Sequence, residues 1–128
     1  MSVALFFVSH EGIAGNLLRI AEAIMHQNCG NLDYIEVPMD TPVLQIQEKA
    51  EQQLQQLDLT EGIIFFTDTY GSTPGNIAQH LARSHNSVII SGINLPMVLR
   101  LLNYRNMPLQ ELIDKSIDGG RKGIEQHQ

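Results

Sequence analysis

The residues that could carry chemistry lie in two short segments, each directly after a run of apolar residues. In "LFFVSHEGIAGN" (residues 5–16), His10 follows the first apolar run. In "FFTDTYGSTPGN" (residues 65–76), Asp68 follows another. A carboxylate beside an imidazole fixes which ring nitrogen keeps its proton, and it leaves the other nitrogen as a directed nucleophile. This pair of residue types is therefore suited to accepting a phosphoryl group.

The loop that follows Asp68 carries groups suited to binding phosphoryl oxygens. Hydroxyls and backbone N–H groups beside a helix N-terminus are typical anion-binding groups. The candidate phosphoryl-binding residues are Thr69, Gly71, Ser72 and Thr73. Phosphoryl transfer depends mostly on positioning and charge stabilisation. Because Glu11 is the only acid immediately after the first apolar run, we predict neither a metal nor a cofactor.

Short apolar runs alternate along the chain with longer amphipathic segments, which is typical of βαβ units. Four apolar or alternating runs predict strands, at 3–8, 32–37, 62–67 and 87–92. Apolar residues at helical spacing and proline near helix starts predict five helices, at 17–25, 43–57, 74–84, 95–104 and 106–126. Gly119 and Gly120 are expected to end or bend the last helix, because glycine costs about 1 kcal/mol in a helix interior.

These elements predict an α/β fold, a doubly wound, mostly parallel four-stranded sheet in the order 2-1-3-4 flanked by helices. Strands one and three are then neighbours, and the winding direction reverses between them. Ligands bind outside the carboxyl ends of strands at such a switch point. His10 and Asp68 are therefore expected to meet there, with Asp68 as a loop residue facing a solvent-filled crevice.

Length and composition indicate one domain and argue against nucleic-acid-binding and membrane-spanning classes of protein. A chain of 128 residues is expected to form one domain over residues 1–128. Its net charge of −6 and its scattered basic residues argue against a nucleic-acid partner. The first ten residues contain no Lys or Arg, and no apolar stretch approaches the roughly 20 residues of a spanning helix, so we predict a cytoplasmic protein.

Three segments resemble the mannose-type (mannose/fructose/sorbose) EIIA domains of the bacterial phosphoenolpyruvate:sugar phosphotransferase system. They are "LFFVSHEGIAGN", "GIIFFTDTYGSTPGNIA" and "ISGINLPMVLRLL", and they occur in the family's order. The resemblance implies that His10 carries a phosphoryl group received from the phosphocarrier HPr and passes it to an EIIB partner. It also implies that Asp68 supports the ring and that Asn94 and Pro96 shape the rim of the site.

The same resemblance implies a homodimer that meets the membrane only indirectly, through a permease complex. Members of the family can exchange a final edge strand before a linker to an attached EIIB domain, but "GGRKGIEQHQ" (residues 119–128) shows neither feature. We therefore expect a free-standing EIIA, with the dimer arrangement and the sugar left open.

Several other interpretations of the same residues remain open. The chain could be a regulatory phosphorelay protein of an incomplete phosphotransferase system. A receiver-like domain phosphorylated on Asp68 would need paired acids after strand one, where Ser9, His10 and Glu11 stand instead. A flavodoxin-like domain would need a Ser/Thr-rich phosphate loop there, and a hydrolase using Ser72 would need a G-x-S-x-G turn. In the plainest interpretation, His10 is a solvated loop residue and Asp68 a turn residue.

Overall fold

The computed structural model describes residues 2–128, in which strands and helices alternate as the sequence predicts. The elements are β1 (Ala4–His10), α1 (Ala14–Met25), β2 (Leu32–Val37), α2 (Val43–Leu54), β3 (Ile63–Thr67), α3 (Thr73–Ala82), β4 (Ser87–Ser91), α4 (Leu95–Asn103) and α5 (Leu109–Lys122). Strand β1 extends two residues further than predicted, so His10 is its last residue. No helix in the described residues is long and apolar enough to cross a membrane.

The four strands form one parallel sheet in the order β2-β1-β3-β4, which confirms the predicted fold class. Val8 on β1 pairs with Thr67 on β3. On the other side of β1, Ser9 pairs with Glu36 and His10 with Val37 of β2. The carboxyl ends of β1, β2 and β3 therefore lie at one edge of the sheet.

Both faces of the sheet are covered, which explains why the strands are almost continuously apolar. On one face, Phe7 packs in a core that also includes residues of α1, α4 and α5. On the other face, Phe6 packs in a core with residues of α2 and α3. Phe7 stacks on Phe66 with ring centroids 4.6 Å apart, and Phe6 meets Phe65 edge to face at 6.0 Å. Burial of each such side chain stabilises the fold by roughly 1.5–3 kcal/mol, so the β1–β3 pairing is held firmly.

The last helix does not end at Gly119 and Gly120, as one alternative of the prediction had it, because α5 continues through them to Lys122. Both glycines are buried against α4. A Cβ added at Gly119 would lie 2.7 Å from Cβ of Arg100, and one at Gly120 would lie 2.8 Å from Cε of Met97. The missing side chains let the two helices approach closely, and this packing offsets the weak helix propensity of glycine.

We expect Gly119→Ala to destabilise the protein, although alanine is the better helix former by about 1 kcal/mol. The added methyl group would overpack the contact with Arg100, which typically costs 1–3 kcal/mol, so a net loss of about 1 kcal/mol is expected in chemical denaturation. Gly30→Ala is the control, since an added Cβ meets nothing within 4 Å there. A Gly119→Ala protein as stable as the wild type would contradict the packing argument.

Candidate functional site

The side chains of His10 and Asp68 meet at the carboxyl edge of the sheet. Nδ1 of His10 lies 2.6 Å from Oδ2 of Asp68, and the backbone N–H of His10 donates to the same oxygen at 3.3 Å. The imidazole is 37% exposed. Because Nδ1 faces the carboxylate, it donates its proton there, and Nε2 is the nitrogen left with a lone pair. The geometry thus orients one basic nitrogen of a solvent-accessible ring.

Asp68 is more buried than the sequence suggests. Its side chain is only 10% exposed, so the prediction of a solvent-facing loop carboxylate is wrong. Burial alone would raise the pKa of Asp68, but hydrogen bonds from the His10 ring and backbone, together with the charge of the ring, outweigh burial and hold the pKa below its ordinary value. Asp68 is therefore an ionised acceptor near neutral pH.

The loop after Asp68 is organised by the start of helix α3. Ser72 is the N-cap residue, and its Oγ accepts a hydrogen bond from the N–H of Gly75 at 3.4 Å while donating to the carbonyl of Thr69. A Cβ at Gly75 would lie 2.0 Å from the carbonyl oxygen of Tyr70, so only glycine fits this turn. The hydroxyl proton of Ser72 is therefore already used in a hydrogen bond within the loop.

Two of the other candidate phosphoryl-binding residues, Thr69 and Gly71, lie in the same loop, and Thr73 is the first residue of α3. Thr69, Gly71 and Thr73 are exposed. A Cβ at Gly71 would meet nothing within 4 Å, so packing does not require glycine at that position. The phosphoryl-binding role of these residues stays a prediction.

Asn94 and Pro96 lie at the start of α4 and fasten it to α5. Asn94 caps α4 by accepting from the N–H of Met97, and its amide donates to the carbonyl of Gly120, each at 3.0 Å. Pro96 lies against Gly123, where an added Cβ would be 2.4 Å from its Cγ. These contacts give both residues a structural role, and their place at the rim of the site stays a prediction.

Two polar residues that hold the segment after His10 were not singled out by sequence reasoning. The Oγ of Ser9 donates to the carbonyl of His10 at 2.8 Å and accepts from the N–H of Ala14 at 3.0 Å. The carboxylate of Glu36 accepts hydrogen bonds from the same segment. The alternating pattern of β2 predicts a strand, but only the register of β2 against β1 reveals that Glu36 lies beside Ser9.

The other acid close to His10 in sequence is Glu11, which is exposed. Its carboxylate has no hydrogen-bond or ion-pair partner among residues 2–128. In the same part of the chain, no group of three or more His, Cys, Asp and Glu side chains is arranged to hold a metal ion.

Comparison with known proteins identifies the family. The family model described as "PTS system fructose IIA component" (EIIA-man) matches residues 4–117. The chain belongs to this family. The resemblance drawn from three sequence segments is thereby confirmed, and the chain is an EIIA component of the sugar phosphotransferase type.

Curated relatives agree with this assignment. The "PTS system mannose-specific EIIAB component" of Escherichia coli K12 is 33% identical over 130 residues, which cover 97% of this EIIA chain and 39% of the relative. The "PTS system fructose-specific EIIA component" of Bacillus subtilis is 31% identical over 71 residues, covering 54% of this chain and 49% of the relative. The EIIA chain thus spans about two fifths of the mannose-specific relative.

Solved structures share the fold. The mannose/sorbose-specific IIA subunit of Enterococcus faecalis superposes with a TM-score of 0.87 at 18% identity, covering 100% of this chain and 96% of that one. The EIIA component of Streptococcus agalactiae gives a TM-score of 0.83 at 20% identity, covering 97% and 96%. At this identity the likeness supports the architecture alone.

We expect Asp68→Asn to remove part of the acid sensitivity of the fold. In the unfolded chain Asp68 takes up its proton near 3.8, and in the folded chain only at lower pH. The contribution of Asp68 to the free energy of unfolding is therefore complete above that value and is lost as pH falls through the folded pKa. Urea denaturation between about pH 5 and pH 2 measures this loss. If the free energies of unfolding of the wild type and of Asp68→Asn changed with pH in the same way over this range, the pairing of His10 with Asp68 would be contradicted.

Proposed function

We propose that this EIIA chain accepts a phosphoryl group on Nε2 of His10 from phosphorylated HPr and passes it to an EIIB partner. The 2.6 Å contact between Nδ1 and Asp68 carries the proposal, because it leaves Nε2 as the nucleophile of a partly exposed ring. Membership of the EIIA family supports the classes of donor and acceptor. The reaction belongs to the phosphoryl relay of a sugar phosphotransferase system, and the relay runs in the cytoplasm, meeting the membrane only through a permease complex.

In the accepting step, the lone pair of Nε2 attacks phosphorus of the donor phosphohistidine. The new N–P bond forms as the donor N–P bond breaks, and the donor imidazole leaves with that electron pair. In the delivering step, a nucleophile of EIIB attacks the phosphorus carried by His10. The N–P bond to Nε2 breaks as the new bond forms, and the His10 imidazole leaves with the electron pair. No net oxidation or reduction occurs, so the step needs positioning and charge stabilisation rather than a redox partner.

Asp68 supports this step through the other ring nitrogen. The ring becomes positively charged as the N–P bond forms, and the carboxylate that accepts from Nδ1 stabilises that charge. The low pKa of Asp68 supports this role, because the residue stays ionised in the working pH range.

Phosphoryl oxygens are accommodated by the start of α3. The exposed residues Thr69 and Thr73 bring hydroxyl groups to this loop, and backbone N–H groups at a helix N-terminus favour an anion. Because Ser72 donates its own proton to Thr69, we assign Ser72 to shaping the loop and the two threonines to contacting the phosphoryl group.

His10→Ala is expected to abolish phosphoryl acceptance from phosphorylated HPr without loss of the fold. Intact-mass measurement under alkaline conditions provides the test, because phosphohistidine survives base and is lost in acid. His80→Ala is the matched control, since His80 is an exposed histidine of α3 away from the end of β1. A wild-type chain that takes up no phosphoryl group overturns the proposal, as does a His10→Ala chain that still does.

In the same assay, Asp68→Asn is expected to slow single-turnover transfer by roughly 10²-fold without abolishing it, since the amide keeps its size but loses the charge. Transfer at the wild-type rate would mean that Asp68 is only a turn residue.

We also propose that the chain forms a homodimer through the edge beside β4. Strand β4 ends the sheet, and a groove of about 330 Å³ runs between it and the end of α5. Ile124, 79% exposed, lines this groove together with the half-buried Ile89 and Ile117. An exposed strand edge beside apolar side chains favours a partner, and a second copy offers the same surface.

Sedimentation at micromolar concentration is expected to give a dimer, and Ile124→Glu a monomer. Ile24→Glu is the control, because Ile24 is an exposed isoleucine of α1 outside the groove. A wild-type monomer at all concentrations, or an Ile124→Glu dimer as tight as the wild type, would exclude this interface.

A further inference from the structure

A single carboxylate bridges the segment between His10 and helix α1. Oε1 of Glu36 accepts from the N–H of Gly12 at 3.0 Å, and Oε2 accepts from the N–H of Gly15 at 2.8 Å. Glu36 lies on β2 beside Ser9 of β1, so its side chain reaches this segment from the neighbouring strand. Hydrogen bonds to an ionised acceptor are stronger than neutral ones, and these two fix both ends of the turn.

The turn depends on this support from outside. The N-cap residue of α1 is Ile13, which supplies no side-chain cap. Gly12 has φ +90°, a conformation that residues with side chains rarely adopt. Two side chains from outside the helix replace the missing cap: the hydroxyl of Ser9 accepts from the N–H of Ala14, and the carboxylate of Glu36 accepts from the N–H of Gly15. Of the two, only Glu36 brings a negative charge, which is favourable at the positive end of a helix.

The helix surface at this point is shaped to admit the carboxylate. A Cβ added at Gly15 would lie 3.1 Å from Oε2 of Glu36 and 2.9 Å from the hydroxyl oxygen of Tyr34. With no side chain at Gly15, Glu36 can approach the backbone N–H directly.

We propose that Glu36 is a positioning residue for phosphoryl acceptance at His10, an inference that rests on the function proposed above. Glu36 does not touch the reacting atoms. It holds Gly12 and Gly15, and through them the turn that begins at His10, so that the imidazole keeps its contact with Asp68 and Nε2 keeps its direction.

The charge of Glu36 makes the inference testable, because electrostatics and positioning predict opposite results. Removal of a nearby negative charge would weaken its repulsion of the incoming phosphoryl group and speed transfer. A glutamine at this position keeps only one acceptor oxygen, so one of the two hydrogen bonds is lost, which would instead loosen the turn and slow transfer. Glu11 separates the two effects, because it lies next to His10 in sequence but its exposed carboxylate has no partner among the described residues.

The experiment compares Glu36→Gln with Glu11→Gln in single-turnover transfer from phosphorylated HPr at increasing HPr concentration. We expect Glu36→Gln to lower the saturating rate by about 10- to 100-fold with an unchanged half-saturating concentration, since misplacement of a reacting group has effects of this size. We expect Glu11→Gln to transfer at least as fast as the wild type. In NMR spectra of unphosphorylated protein, the amide proton of Gly12 or Gly15 that faces the new NH2 group should exchange faster with solvent in Glu36→Gln, and neither should in Glu11→Gln.

Gly15→Ala tests the same hydrogen bond by changing the donor residue instead of the acceptor, in case Glu36→Gln folds poorly. The new methyl group would lie 3.1 Å from Oε2 of Glu36 and 2.9 Å from the hydroxyl oxygen of Tyr34, so it should lengthen the hydrogen bond of Glu36 without removing its charge. The saturating rate should therefore fall, by less than in Glu36→Gln. A wild-type or faster rate in both Glu36→Gln and Gly15→Ala would overturn the positioning role, whatever the amide protons do. A wild-type protein that accepts no phosphoryl group would overturn the proposed function instead.

Discussion

The parallel pairing of β1 with β3 is the constraint on which the site depends. Val8 lies opposite Thr67, so Asp68 leaves β3 beside the last residues of β1. A slip of one residue would turn every side chain of the strand to the other face of the sheet and separate His10 from Asp68. The cross-strand phenylalanine pairs oppose such a slip, because a shifted register would separate Phe6 from Phe65 and Phe7 from Phe66. The distance of 2.6 Å between the functional side chains is therefore set by hydrophobic packing several residues away.

The strand order and the meeting of His10 with Asp68 could be predicted from the sequence because both follow from strong, general rules. Fully buried parallel strands give continuous apolar runs, and right-handed crossovers restrict the order in which four such strands can pair. Once β1 and β3 are neighbours, the residues that follow their carboxyl ends must approach each other. That conclusion does not depend on any detailed contact, and the structure agrees with it.

Other features depend on contacts that sequence patterns do not report. Helix propensity is a local property, so it could not predict that Gly119 and Gly120 continue α5 by fitting against Arg100 and Met97. The burial of Asp68 likewise depends on how the ring of His10 covers it. Glu36 reaches the turn after His10 only because β2 pairs with β1 in one particular register, and a strand pattern does not fix the register.

Four helices, α1 to α4, follow the carboxyl ends of the strands at the edge that carries His10, and the N-termini of α1, α3 and α4 are satisfied in different ways. Helix α1 receives the charged carboxylate of Glu36, whereas α3 and α4 are capped by the neutral side chains of Ser72 and Asn94. A neutral cap satisfies backbone N–H groups but leaves the partial positive charge of the helix end uncompensated.

This difference matters because the proposed reaction brings an anion next to Asp68, whose low pKa keeps it negatively charged. A phosphoryl group on Nε2 is repelled by Asp68, and the charge on the imidazole between them offsets part of that repulsion. The N-terminus of α3, which begins at Thr73 after the short loop that follows Asp68, is a nearby helix end able to offset more of this repulsion. Under the proposed function, the neutral cap of α3 would therefore favour the phosphoryl group near Thr69 and Thr73, whereas the start of α1, which already carries the charge of Glu36, would serve to hold the histidine.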